Sequence, residues 1–146
     1  MNPEIEMKSV SELVSAVEGL KNDGCRLVVM TCSPAPDAYD ITYSFDKEGS
    51  IRHIRINAEE GAEIPSITGV YPGAFVYENE IHDLYGFTFK GLSIDFGGTF
   101  IRTSVPYPFR KQAAEPKVTK VPKAAKAEDE AKDAAPQTAA AKEAEK

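Results

Sequence analysis

Between Ser9 and Asn22 the apolar residues Val10, Leu13, Val14, Val17 and Leu20 recur at helical spacing and form one stripe. Ser9 with Glu12 fits a capping box, and Gly24 stands where a helix stops. The next run, Cys25 to Cys32, is apolar on both sides of a strand, as expected inside a covered sheet. From Tyr39 to Asp46 the chain alternates cleanly. Tyr39, Ile41, Tyr43 and Phe45 fall on one face, and Asp40, Thr42, Ser44 and Asp46 on the other, which predicts a half-buried antiparallel strand. A turn with Gly49 leads into a third strand over Ile51–Ala58. The expected fold is therefore α+β: an N-terminal helix on a small antiparallel sheet (α-β-β-β), then a helix and an extended C-terminal arm.

The later helix spans Ala74–Tyr85 and closes at Gly86. At about 100° per residue, Ala74, Tyr77, Ile81, Leu84 and Tyr85 gather on one side. Asn79, Glu80 and Asp83 fall opposite and are expected to face outward, with Glu78 and His82 as an i, i+4 pair on one flank. Phe75 and Val76 break this division and make the start of the helix apolar nearly all round. Such a helix is covered on two sides, here by its own sheet and by a partner. Residues 87–110 hold six aromatics and three glycines with little periodicity, as in an arm whose apolar groups are buried against something else.

Composition changes the picture at one place. From Lys111 onward 12 of 36 residues are Ala, none is aromatic, and Val118 and Val121 are the large aliphatic residues. A segment of this kind cannot offset the entropy of ordering it, so a folded body over 1–110 and a disordered tail over 111–146 are expected. The body carries nine Lys and Arg against sixteen acids, the tail eight Lys against seven acids. An acidic body argues against nucleic acid and anionic membrane surfaces as its partners. No apolar run approaches the roughly 20 residues of a spanning helix, and "MNPEIEMKSV" lacks an apolar signal core. On one regular strand Cys25 and Cys32 would lie roughly 23 Å apart on opposite faces, beyond disulfide reach and consistent with reduced thiols in a cytosolic protein.

The stretch "VYENEIHDLYG" places Glu78, Glu80, His82 and Asp83 within six residues. Glu78 and His82 supply two metal ligands where zinc needs three or four, and position 79 is Asn, which removes an ExxH pattern. No nucleophile motif or phosphate-cradling glycine loop accompanies the carboxylates. A free-standing metal-dependent enzyme built on Glu78 and His82 is one reading, and an adaptor acting through its tail is another.

The run "IPSITGVYPGAFVYENEIHDLYGFTFKG" resembles the signature region of the 30-kilodalton subunit family of respiratory NADH dehydrogenase, the C subunit of complex I. That family includes the matching subunit of energy-converting, membrane-bound nickel–iron hydrogenases. Pro65, Ser66, Ile67 and Thr68 match the first part of the pattern, and Pro72 and Ala74 the middle. Glu78, Glu80, Asp83, Leu84 and Gly86 match the last part. Asn79 stands where the family has Arg, and Val76 where it has Trp. The family's run after Phe89–Lys90–Gly91 is missing, which favours the shorter hydrogenase-type branch.

The resemblance implies a non-catalytic, hydrophilic subunit with no cofactor of its own. Its partners would be a large catalytic subunit and a small iron–sulfur subunit, which would hold the nickel–iron centre and the iron–sulfur clusters. The protein would sit on the cytoplasmic, inner face of the cell membrane and touch it through the complex alone. The C subunit of an NADH:quinone oxidoreductase is the alternative. Phe75, Val76, Glu78, Glu80, His82, Asp83 and Gly86 would form the subunit interface, with the carboxylates as anchors paired to Arg or backbone N–H groups.

Overall fold

A computed structural model describes residues 4–111; the expected tail lies outside them, except for Lys111. The elements run β1 (Ile5–Lys8), α1 (Leu13–Asn22), β2 (Arg26–Pro34), β3 (Tyr39–Lys47), β4 (Ser50–Ala58), β5 (Glu63–Pro65), α2 (Phe75–Tyr85) and β6 (Thr88–Lys90). Each helix is led in by one 3-10 turn, Val10–Glu12 and Pro72–Ala74. The Ser9–Glu12 box forms: the Glu12 carboxylate takes the Ser9 N–H at 3.0 Å and the Ser9 hydroxyl at 2.6 Å. The fold is α+β, as the pattern predicts.

The main sheet has the order β1-β4-β3-β2, antiparallel except that β1 lies parallel to β4. The sheet is therefore mixed, with one strand more than the sequence predicts. At four residues β1 is too short to show alternation, and Ile5 and Met7 remain exposed. Backbone pairing rather than burial holds it. Tyr39, Ile41, Tyr43 and Phe45 are buried as expected, opposite Ile54 and Ile56, and form one core with Leu13 and Val17 of α1 and Ile81 of α2. The other face is a polar ladder, with Arg55 on Thr42 at 2.9 Å and His53 on Ser44 at 2.8 Å.

Strand β2 departs from expectation in two ways. It is an edge strand rather than an inner one, and it is bulged between Leu27 and Val29. The extra residue resets the alternation, so Cys25 and Cys32 join the same core instead of facing opposite ways. Both are free thiols, and burial, then Asp40, pushes the Cys32 thiol up to about 12. The open edge of β2 is covered by hydroxyls rather than another strand. Tyr71, Tyr77 and Tyr85 donate to the carbonyls of Cys25, Val28 and Cys32 at 2.7, 3.0 and 2.7 Å.

Candidate interaction site

Helix α2 is fixed on its apolar side by those tyrosines and by Ile81. Its far end is shaped by Gly86, whose φ of 79° is a left-handed cap that favours glycine. Arg110 closes this end, donating to the Tyr85 carbonyl at 2.8 Å and the Gly86 carbonyl at 3.2 Å. A cation there complements the helix dipole. A Cβ on Gly86 would meet the Arg110 guanidinium at 2.3 Å, so the glycine also makes room for the cap.

The polar side of α2 does not face solvent as the helical wheel suggests. Glu78, Asn79 and Asp83 are all buried: Glu78 sits under the Ser66–Ile67 loop, and residues 93–110 fold back over Asn79 and Asp83. The Glu78 carboxylate takes the Ser66 hydroxyl at 2.6 Å and the Ile67 N–H at 2.8 Å. Ser66 in turn accepts from the Thr68 hydroxyl at 2.7 Å and the Thr68 N–H at 3.1 Å. Thr68 then accepts the Ser93 N–H at 3.1 Å. The Pro-Ser-Ile-Thr run and Glu78 are thus one network, which gives their spacing a physical reason. Burial raises the Glu78 carboxyl from 4.5 to about 6, against the lowering effect of its two hydrogen bonds.

Asn79 clamps the returning arm. Its amide donates to the Phe75 and Ile94 carbonyls at 2.7 and 2.8 Å, and its oxygen accepts the Phe96 N–H at 3.0 Å. Asp83 Oδ2 accepts the Ile101 N–H at 2.7 Å. His82 donates through Nδ1 to the Phe87 carbonyl at 2.7 Å, its ring edge-on to Tyr107. Glu78 and His82 therefore serve separate partners and are not brought together as a ligand pair. Among the described residues no group of three or more His, Cys, Asp or Glu is placed to hold a metal. Glu80 is half-buried and makes no hydrogen bond or ion pair among the described residues.

Of the apolar candidates, Phe75 stacks on Phe96, which packs on Phe100. The arm is thus buried partly on the chain's own helix. Val76, Ile94 and Phe96 stay exposed, at 36%, 48% and 42%. Sequence reasoning missed Asn79 as a clamp and Arg110 as a cap, because both depend on where the unpatterned arm returns.

Residues 6–120 match the family model described as respiratory-chain NADH dehydrogenase, 30 Kd subunit. Similar proteins include the C subunit of the NADH-quinone oxidoreductase of Phenylobacterium zucineum (strain HLK1), 45% identical over 36% of this chain and 26% of its own. That of Jannaschia sp. (strain CCS1) is 36% identical over 56% of this chain and 44% of its own. The chain thus matches less than half the length of these relatives. Its fold is similar to a chain in the structure of the membrane-bound sulfane sulfur reductase, an archaeal respiratory membrane complex. The TM-score is 0.62 at 19% identity, covering 76% of this chain and 73% of that one. No helix among the described residues is long and apolar enough to cross a membrane. The Ser66–Glu78 network is built from residues that carry the family pattern, and the match spans most of the chain, which belongs to the respiratory-chain NADH dehydrogenase 30 kDa subunit family.

Proposed function

We propose that this chain is a non-catalytic, peripheral subunit of a membrane-associated electron-transfer complex, packing against the large catalytic subunit on the cytoplasmic face of the membrane. The family match over residues 6–120 carries this reading. The geometry of α2 supports it: Glu78 and Asp83 hold loops in place, and Val76, Ile94 and Phe96 offer apolar surface to a neighbour. In this reading the interface comprises Phe75, Val76, Glu80, His82 and the arm around them, while Glu78 and Gly86 shape it from within.

The parent complex we propose is an energy-converting nickel–iron hydrogenase, with a small iron–sulfur subunit as a further neighbour. The missing run after Gly91 favours it. The names of the relatives favour the second reading, the C subunit of an NADH:quinone oxidoreductase. Affinity purification of the tagged chain from detergent-solubilised native membranes, followed by subunit identification and nickel and iron analysis, separates the two. Nickel with a hydrogenase large subunit supports the first. Flavin and NADH-oxidising subunits without nickel support the second. Recovery of the chain alone, with stoichiometric bound metal and turnover, would show a free-standing enzyme and end the subunit reading.

A further inference from the structure

A cavity of about 370 Å³ opens beside the second half of α2, lined by His82, Asp83, Gly97, Gly98 and the arm segment Thr103–Tyr107. We propose that it receives one arginine side chain of the large subunit, held by Asp83 Oδ1 and His82 Nε2; the assignment rests on the subunit reading above.

Asp83 is 5% exposed and spends Oδ2 on the Ile101 N–H, yet its Oδ1 has no hydrogen-bond partner among the described residues. A buried carboxylate oxygen left bare is costly, and native structures keep few such groups. His82 supplies a second acceptor. The Phe87 carbonyl can only accept, so Nδ1 carries a proton, and in the Nδ1–H tautomer Nε2 is a bare lone pair. A Cβ built on Gly98 would lie 3.7 Å from Nε2 and 3.9 Å from Oδ1, so both acceptors converge on the space that this glycine leaves open. Gly98, at φ 81°, and Gly97, at φ 59°, hold a left-handed turn that keeps side chains out of it.

Two convergent acceptors call for a donor-rich cation. A guanidinium presents several N–H groups in one plane and can serve both, whereas an ammonium is a compact point charge. A metal would find two ligands here where zinc needs at least three. The chain's own arginines nearby do not fill the place. Arg110 is bonded to Tyr85 and Gly86, and Arg102 is exposed with no hydrogen bond among the described residues. The acidic body, nine cations to sixteen acids through residue 110, also suits a basic partner surface.

The test uses the tagged full-length chain in its native host, carrying Asp83→Asn or His82→Asn. Asp83→Asn can still accept the Ile101 N–H but turns an amide donor into the cavity. His82→Asn keeps a donor for Phe87 and loses Nε2. Each purified variant should melt within a few degrees of the unaltered chain, and each should recover the large subunit less well, Asp83→Asn by more than about tenfold. Folded variants that recover it in full would overturn the proposal. Zinc titrated into the unaltered chain should not bind; saturable 1:1 binding lost in both variants makes this a metal site instead. A carbodiimide cross-link from Asp83 to a lysine of residues 112–146 in the free chain makes the occupant internal and also overturns it. If the unaltered chain itself recovers no large subunit, the subunit reading has failed, and this assignment with it.

Discussion

A carboxylate with no exposed surface must be held by donors or keep its proton, and Glu78 does some of each. Its folded value of about 6 lies above the ordinary 4.5, so the native state holds the proton more tightly than the unfolded chain. Its contribution to stability is therefore fully present below about pH 4.5 and is lost as the pH rises through about 6. A shift of that size corresponds to about 2 kcal/mol. Denaturant melts from pH 4 to 8 should show the loss, and Glu78→Gln, which can keep both hydrogen bonds, should flatten the curve relative to the unaltered chain. Equal pH slopes in the two proteins would mean that Glu78 is ionised without cost. Gly86 makes a second prediction at this scale. Alanine at φ 79° is strained by about 1–2 kcal/mol and would also push Arg110 off the end of α2. Gly86→Ala should lower the thermal midpoint by several degrees. An unchanged midpoint would show that the cap contributes nothing.

At the scale of elements, strands β3 and β4 and both helices are legible in the sequence because each repeats one period over eight or more residues. Strand β1 is not, because four residues at a sheet edge, three of them exposed, are too short a run to show a period. The bulge in β2 is hidden for a related reason: nothing in "CRLVVMTC" marks an extra residue, so regular alternation places the two cysteines on opposite faces. The polar side of α2 misleads because a helical wheel knows nothing of the arm that later covers it. Asn79 and Asp83 look solvated by spacing, and both are buried by backbone groups 15 and 18 residues away. The arm is consequently the element most open to test. Asn79→Ala removes its bonds to Ile94 and Phe96. Hydrogen exchange should then show the Phe96 amide losing protection while β3 and β4 keep theirs. Uniform loss across the sheet would mean that the arm and body unfold together.

For the whole molecule, a one-sided sheet, two helices and an arm spend their buried charges on internal loops and leave a patch of apolar residues with an acidic cavity outside. A free-standing enzyme needs reactive groups converging in a pocket, whereas a subunit needs a surface held in shape, and the subunit reading proposed above takes this surface as the second kind. The most direct measurement is the state of the endogenous chain in the cell: native electrophoresis of mildly solubilised membranes, with the chain detected by antibody. The account predicts that it migrates with an assembly many times its own 15.9 kDa, together with a large redox subunit. A chain found free in the soluble fraction, at its own mass and with no such companion, would contradict it.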